Sequence, residues 1–251
     1  MTASGPAYEI GQQVLRRGGR VVLDRQATLD IAGAEHIPAS GPCVIVARHY
    51  HNLLDGCALY AATGRSLHIL VGLDWAGTGL LRRVMEKLSR MVAWPIILRP
   101  DALDREAAAP KRKSEARRLL RAATRDGVDL LAAGKVVVMF PEGYPVVDPH
   151  AKTQRASPEG VVPFQPGVVR LVRIAERRLG REIPLVPVGF AYEQRDDGRW
   201  EIAMRIGPPL SREGLESDTE LLRVLESQVA ALSGIPVPAR TRVASEQNVS
   251  R

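Results

Sequence analysis

The sequence predicts a single α/β domain with a mostly parallel central sheet, helices on both of its faces and antiparallel strands added near its end. Short apolar, β-branched runs alternate with longer amphipathic segments, which is the strand and helix order of such sheets. At 251 residues the chain can bury one sizeable core. Two runs, Val44–Ala47 and Val136–Phe140, end at polar or ionisable residues, as buried parallel strands do when they carry reactive groups to one edge of a sheet.

The first part of the chain is predicted to combine a surface helix with the first strand. Residues 9–24 form an amphipathic pattern and Leu29–Ala32 an apolar strand. We predict an amphipathic, membrane-surface segment over residues 1–28, a folded domain over 29–233 and a flexible tail over 234–251.

The middle of the chain is predicted to alternate strands and helices. In order, the pattern indicates a central strand, an amphipathic helix with a basic side, a strand ending in a cation, and a long helix: Leu67–Leu73, 78–93, Pro95–Arg99 and Ser114–Ala133. The polar segment Gly143–Gln165 is too long for a simple connection, so we predict a functional or lid-like loop.

The C-terminal half is predicted to return to the sheet and to supply its antiparallel strands. The segments are a basic helix from Gly167, a strand over Ile183–Phe190, a hairpin over Tyr192–Ile206 that turns at Asp196-Asp-Gly198, and a helix over Thr219–Leu232. The hairpin therefore predicts antiparallel additions near the end of the sheet.

The charge balance indicates an anionic partner. The net charge is +7 and the pI about 9.8, whereas aromatic residues make up only 4%, too few for a base-stacking surface. A phosphate-bearing substrate or an acidic lipid surface is favoured, and nucleic acid is not expected. Cys43 and Cys57 fall in or beside apolar runs without further ligands, so no metal site is predicted.

The two isolated cysteines fit a reducing, cytoplasmic location, and the hydropathy of the chain predicts that any contact with a membrane is made at its surface. Residues 1–8 lack the charged start and apolar stretch of a signal peptide. No apolar run reaches the length of a membrane span. A protein of this kind would lie on the membrane surface.

The segment His49-Tyr-His-Asn-Leu-Leu-Asp55 carries the strongest chemical signal. Acyl transfer to an alcohol needs a base that takes the hydroxyl proton near neutral pH, and imidazole is the natural choice. A carboxylate bonded to the other ring nitrogen fixes the tautomer. His49 with Asp55 fits these roles if the chain turns between them, with His51 in reserve at four residues from Asp55. Such a pair could equally hydrogen-bond a loop.

Two further strand ends carry candidate substrate-binding residues. In Phe140-Pro-Glu-Gly143, Pro141 sets one backbone angle and Gly143 permits an unusual one, so Glu142 can be held in a pose that binds substrate hydroxyls. A solvated turn residue is the plain alternative. Arg99 ends a strand, where its guanidinium suits a phosphate or is simply a surface charge.

Signatures of several common enzyme classes are missing. The chain has no G-x-S-x-G elbow, no Walker loop, no H-E-x-x-H and no paired C-x-x-C. Serine hydrolases of the elbow type, P-loop enzymes and common zinc enzymes are therefore disfavoured.

Taken in order, these residues resemble the motifs of the glycerolipid acyltransferase family, of the lysophosphatidate acyltransferase type. The likeness runs from about Leu29 to Leu210. Its segments are His49 with Asp55, Ile96-Ile-Leu-Arg99, Phe140-Pro-Glu-Gly143, Phe164-Gln-Pro-Gly167 and Ile183-Pro-Leu-Val-Pro-Val188. The resemblance implies a catalytic His49 and Asp55 and substrate-binding roles for Arg99, Phe140, Pro141, Glu142, Gly143 and Pro187.

Two departures from the family pattern concern the first and third motifs. Five residues separate His49 from Asp55 where four are usual, a spacing that some branches combine with an Asn such as Asn52. The usual Thr-Arg-Ser after the third motif is replaced by Tyr144-Pro-Val, which leaves a different acceptor open. Lys152 or Arg155 could replace the missing cation.

The resemblance also implies the reactants. The donor would be an acyl thioester, either acyl-CoA or acyl-carrier protein, as a co-substrate rather than a bound cofactor. The acceptor would be a lysolipid or a related alcohol, met at an anionic membrane surface. A catalytically degenerate member that binds lipid or a partner without turnover is the alternative, because the spacing and the third motif are altered.

Overall fold

A six-stranded sheet organises the structure, a computed structural model that describes residues 3–73, 79–98, 110–147 and 160–236. The strands are β1 (Ala27–Ala32), β2 (Cys43–Ala47), β3 (Leu67–Ile69), β4 (Val71–Gly72), β5 (Ile96–Ile97), β6 (Val136–Met139), β7 (Leu185–Gln194) and β8 (Trp200–Ile206). The helices are α1 (Pro6–Gln26), α2 (Leu54–Ala62), α3 (Leu80–Met91), α4 (Pro110–Ala132), α5 (Gly167–Leu179) and α6 (Asp218–Leu232). Beyond residue 236, the predicted tail lies outside the described residues.

The sheet has the order β1-β8-β7-β2-β6-β3 and is parallel at its centre. Strands β7, β2, β6 and β3 run in one direction, whereas β8 and β1 run in the other. The hairpin between β7 and β8 turns where predicted, with Gly198 at a φ of +79° that favours glycine. Every residue of β2 and β6 is buried, because helices cover both faces. The predicted fold class is confirmed.

Two apolar clusters fill the spaces between the sheet and its helices. On one face Cys43, Ile45 and Ala47 of β2 pack with α1 and α2. On the other face Val44 and Val46 pack with α4, α5 and α6. Because β2 feeds both clusters through alternate residues, its end is held firmly from both sides.

Helix α1 is longer than predicted and is docked on the domain. Gln12 donates from Nε2 to the carbonyls of Leu67 (3.3 Å) and Val92 (3.0 Å). Gly11 allows a close approach, since a Cβ there would lie 2.9 Å from the Val92 side chain. The helix is thus packed into the fold, while a membrane-surface role for residues 1–28 stays a prediction.

The predicted central strand over Leu67–Leu73 is wrong in two respects. Its first part, β3, is the last strand of the sheet, and its second part, β4, leaves to pair with β5. The cause is the length of β6: Leu70 still donates to the Val138 carbonyl, but β6 ends at the next residue, and Val71 donates to Pro95 instead.

Helices α3 and α5 have similar amphipathic patterns, but the apolar side of α5 faces the core and that of α3 faces outward. The apolar residues of α5 are buried except Ile174 and Leu179, and Arg170, Arg177 and Arg178 are exposed. In α3 part of the polar side faces the protein: Ser89 is buried and Arg82 pairs with Glu86 and with Glu115 of α4, whereas Arg83, Lys87 and Arg90 are exposed. Met85 is half-buried, and the other apolar residues of α3 are 42–78% exposed, namely Leu80, Leu81, Val84, Leu88 and Met91.

Candidate active site

The site lies where β2 and β6 end side by side. The two strands are parallel and in register, with Val46 opposite Met139, so the segments that follow them leave the sheet at the same edge. The sequence-predicted meeting of the His/Asp segment and the Phe-Pro-Glu-Gly turn at one edge is confirmed.

His49 and Asp55 are in direct contact. Nδ1 of His49 lies 3.0 Å from Oδ2 of Asp55, and the His49 side chain is 17% exposed whereas that of Asp55 is 1% exposed. Phe140 stacks on the His49 ring with 4.4 Å between ring centroids and 22° between planes. The imidazole is therefore held by a carboxylate at one nitrogen and by a ring on its face, and one side of it stays accessible.

The hydrogen bonds around Asp55 fix the tautomer of His49. Oδ2 of Asp55 also accepts the backbone N–H groups of Tyr50 (2.8 Å) and His51 (3.0 Å). A carboxylate that receives backbone donors is an acceptor, so Nδ1 of His49 carries the proton and donates to it. Nε2 of His49 is then the nitrogen with a free lone pair, as a general base requires.

The longer spacing is accommodated because Asp55 lies in the first turn of α2. The chain between the two residues curls so that its backbone N–H groups point at the carboxylate. Asn52 is exposed in this curl and donates its backbone N–H to Val147. One additional residue therefore enlarges the turn without separating the pair.

His51 is engaged elsewhere. Its Nδ1 accepts the backbone N–H groups of Leu53 (3.2 Å) and Leu54 (3.3 Å) at the start of α2. Burial lowers the pKa of the His51 ring. These contacts favour a structural role in the start of the helix, and His49 is the histidine whose ring meets the Asp55 carboxylate.

Glu142 contacts the backbone rather than open space. Its Oε2 accepts the His49 N–H at 2.6 Å and its Oε1 accepts the Val162 N–H at 3.1 Å. The residue is 2% exposed, and burial raises the pKa of its carboxyl to about 6. Glu142 thus holds the backbone at His49 and at the segment that returns from the loop, while its predicted contact with substrate hydroxyls stays a prediction.

The turn after Glu142 joins the third motif to the first. Gly143 has a φ of +78° and donates to the Phe140 carbonyl, and Pro141 accepts the N–H of Gln165. Val146 then donates to the His49 carbonyl, so the segment in place of the family's Thr-Arg-Ser pairs with the His49 loop. Residues 148–159 of the predicted lid-like loop lie outside the described residues.

Two residues at the site were not predicted. Arg48 is buried beside the pair and donates to the carbonyls of Phe190 (3.2 Å) and Gly160 (3.3 Å). Tyr192 donates its hydroxyl to Oδ1 of Asp55 at 2.6 Å from a position 137 residues along the chain. The place of Arg48 directly before His49 was the one local signal, and nothing near Asp55 in the sequence indicates Tyr192.

The remaining predicted residues are placed as follows. Pro187 is buried in β7, accepts the Gly207 N–H at 2.9 Å and lies with Gly207 on the α6 side of the sheet. The structure thus packs it as part of the sheet. Arg99, Lys152 and Arg155 lie outside the described residues.

Comparisons with known proteins agree with this geometry. A sequence profile of the acyltransferase family matches residues 28–191. Among solved structures, the chain is similar to the crystal structure of the 1-acyl-sn-glycerophosphate acyltransferase PlsC from Thermotoga maritima, with a TM-score of 0.56 and 16% identity, over 90% of this chain and 78% of that one. At that identity the likeness shows the fold. A search of curated proteins finds no match.

The fold and the profile together define an acyltransferase. The chain belongs to the acyltransferase family, because the matched residues make up more than half of it, and the resemblance to glycerolipid acyltransferases is confirmed. Family membership assigns it to acyl transfer.

Two searches for other features apply to the described residues alone. None of the described helices is both long enough and apolar enough to cross a bilayer. Within the same ranges no group of three His, Cys, Asp or Glu side chains could hold a metal ion.

Proposed function

We propose that this protein moves a fatty acyl group from an acyl thioester to a hydroxyl of a lysophospholipid or related acceptor, as in the conversion of lysophosphatidate to phosphatidate. The observation that carries the proposal is the 3.0 Å contact between Nδ1 of the partly exposed His49 and Oδ2 of the buried Asp55. It supplies an oriented general base at the sheet edge in a chain of the acyltransferase family.

The reaction follows from this pair. Nε2 of His49 takes the proton from the acceptor hydroxyl as its oxygen attacks the thioester carbonyl carbon. Asp55 stabilises the imidazolium that forms. The C–S bond then breaks, the proton passes from His49 to the departing thiol sulfur, and the ester is released. No covalent enzyme intermediate and no cofactor is needed, since acyl-CoA or acyl-carrier protein enters as co-substrate.

The acceptor's phosphate would be bound by cations near the pair. Arg99, Lys152 and Arg155 are the candidates that the sequence offers. The positive net charge of +7 supports an anionic acceptor, because it raises the concentration of anions near the surface.

The exposed apolar side of α3 supports work at a membrane surface. Leu80, Leu81 and Leu88 face outward, and Arg83 and Lys87 on the same helix are also exposed. Apolar side chains flanked by cations suit an anionic lipid surface. We infer peripheral binding at the inner, cytoplasmic face.

Helix α1 extends this apolar surface. Ile10 and Val14 are exposed one helical turn apart, and Gly11 between them faces Met91 at the end of α3. The exposed residues of the two helices therefore form neighbouring parts of one surface, which we call the α1–α3 apolar surface: Ile10, Val14, Leu80, Leu81, Val84, Leu88 and Met91.

The test of the function is release of free thiol from long-chain acyl-CoA and acyl-carrier protein with a panel of lysolipid acceptors. Wild type is compared with His49→Ala and with His51→Ala. Acceptor-dependent release that is abolished by His49→Ala and only reduced by His51→Ala is expected, because Nδ1 of His51 is committed to the start of α2.

The other outcomes separate the alternatives. Loss of release with His51→Ala alone would move the base to His51. No release with any donor and acceptor, together with lipid binding that survives His49→Ala, would favour the catalytically degenerate member of the fold. Salt-dependent binding to duplex DNA in competition with anionic lipid would instead indicate nucleic acid.

A further inference from the structure

The carboxylate of Asp55 has different partners on its two oxygens. Oδ2 receives Nδ1–H of His49 and the backbone N–H groups of Tyr50 and His51. Oδ1 receives the hydroxyl of Tyr192 at 2.6 Å, its one hydrogen-bond donor among the described residues. A buried carboxylate is costly unless hydrogen bonds satisfy it, so this oxygen depends on Tyr192.

The Tyr192 hydroxyl is fixed in position by packing. Its ring stacks on Tyr50 with 4.3 Å between centroids and 5° between planes. The Trp200 ring meets it edge-on at 5.7 Å and 81°. Because β7 pairs with β8, which carries Trp200, and with β2, which leads to His49, the position of the hydroxyl is set by the sheet itself.

Several ionisable groups surround the contact between Tyr192 and Asp55. Burial lowers the pKa of the Arg48 guanidinium, against the neighbouring charges of Glu142 and Asp55, which raise it. Cys57 on α2 stays a thiol because burial and Asp55 raise its pKa to about 11. Glu142 holds the His49 backbone from the β6 side, and His51 faces the pair from the loop. Burial and the Asp55 charge raise the pKa of Tyr192 well above its ordinary value, so its hydroxyl remains a donor.

We propose that Tyr192 is a positioning residue of the site. Tyr192, Asp55 and His49 form a hydrogen-bonded relay: the Tyr192 hydroxyl holds Oδ1 of Asp55, so that Oδ2 stays directed at Nδ1 of His49. This proposal rests on the proposed acyl transfer, because the relay orients the base of that reaction. Tyr192 itself touches neither His49 nor a reacting atom in the relay.

The relay makes a prediction about proton affinity. The Tyr192 hydroxyl stabilises the negative charge on Asp55. The carboxylate is therefore a weaker acceptor for the protonated His49 ring. Without the hydroxyl, the pair of His49 and Asp55 binds a proton more tightly. The titration midpoint of the His49 ring should therefore move to higher pH, and the acidic limb of the rate profile should move with it.

The test is Tyr192→Phe, which keeps the ring and its stacking and removes the hydroxyl. The histidine ring protons are followed by NMR against pH in the substrate-free protein, with the His49 signal assigned from His49→Gln. We expect the midpoint of the His49 titration to move up by about one pH unit. The acidic limb of the kcat/KM profile should move to higher pH by the same amount, and kcat should fall about tenfold.

Tyr60→Phe is the matched control. The Tyr60 hydroxyl is also buried and hydrogen-bonded, to Gln12 and to the Leu67 carbonyl, away from Asp55. It should lower the free energy of unfolding without moving the His49 midpoint. A His49 midpoint that moves equally in both variants, or in neither, would overturn the relay.

The relay and the proposed function can fail separately. If Tyr192→Phe raises the His49 midpoint but wild type shows no turnover, the relay is supported and the proposed transfer is not. If wild type transfers acyl groups and Tyr192→Phe has an unchanged midpoint and an unchanged acidic limb, the relay is overturned and the transfer remains.

Discussion

Two regions of this molecule depart from the ordinary distribution of polar and apolar residues, and they do so in opposite directions. The candidate active site buries charged groups, whereas the α1–α3 apolar surface exposes large hydrophobic side chains. In soluble proteins both arrangements are costly and call for a specific reason.

The difference lies in where each region finds its partners. Asp55 and Glu142 are hydrogen-bonded by groups of the same chain, so these two carboxylates find their partners within the protein. The outward side of α3 instead presents apolar side chains to the surroundings, while Arg82 on its inward side pairs with Glu115 of α4. The carboxylates of the site are thus held within the chain, whereas the exposed apolar side chains of α3 are those for which we propose contact with lipid.

The largest effect should come from the carboxylate at the centre of the site. Asp55→Asn keeps the size of the side chain, but its NH₂ group cannot accept the hydrogen bonds that one carboxylate oxygen now receives. The amide also favours the His49 tautomer with the proton on Nε2. We expect kcat for thiol release to fall about 10³–10⁴-fold. Asp129→Asn, on the surface beside Arg178, is the control and should keep full activity. Retention of more than a small part of kcat in Asp55→Asn would contradict the assigned role.

The next effect concerns the buried charge of Glu142. Burial raises the pKa of its carboxyl from 4.5 to about 6, so the folded state binds this proton more tightly than the unfolded chain. The contribution of this group to the free energy of unfolding is present at low pH and is lost as pH rises through about 6. The loss amounts to about 2 kcal/mol. Urea unfolding of wild type and Glu142→Gln between about pH 4 and pH 7 measures it. An unchanged difference in free energy of unfolding across that range would show that Glu142 titrates normally.

Much of this site could be predicted from the sequence because its residues follow buried strands. An apolar run that ends two residues before His49 and another that stops before Glu142 must end at one edge if the strands are parallel. The choice between His49 and His51 could not be predicted, since both spacings to Asp55 are geometrically allowed. The roles of Arg48 and Tyr192 depend on which strands lie next to β2, and the sequence carries no local sign of that order.

The orientation of α3 was beyond sequence reasoning for a related reason. Periodicity shows that a helix has an apolar side, but it does not show what that side contacts. Helices α3 and α5 share the pattern, and only packing shows that α5 turns its apolar side inward and α3 outward. The division of Leu67–Leu73 has the same origin, because it follows from the length of β6.

The surface can be tested with a matched pair of leucines. Leu81 on α3 and Leu120 on α4 are 55% and 54% exposed. Leu81→Asp should weaken binding to anionic vesicles about tenfold. It removes apolar area that the vesicle would cover on binding, and it places a negative charge against the anionic lipid. Leu120→Asp should leave vesicle binding unchanged in the same sedimentation assay. Equal losses in the two variants would mean that α3 is not the contact.

The smallest effect should come from the cations that border the surface. Arg83 on α3 and Arg125 on α4 are both exposed. Arg83→Gln should weaken binding to anionic vesicles about fivefold, since one cation near an anionic surface contributes about 1 kcal/mol. Binding to zwitterionic vesicles should not change, and Arg125→Gln should affect neither. If Arg125→Gln instead weakened anionic binding as much as Arg83→Gln, the attraction would belong to the whole basic protein, and α3 would provide the apolar contact alone.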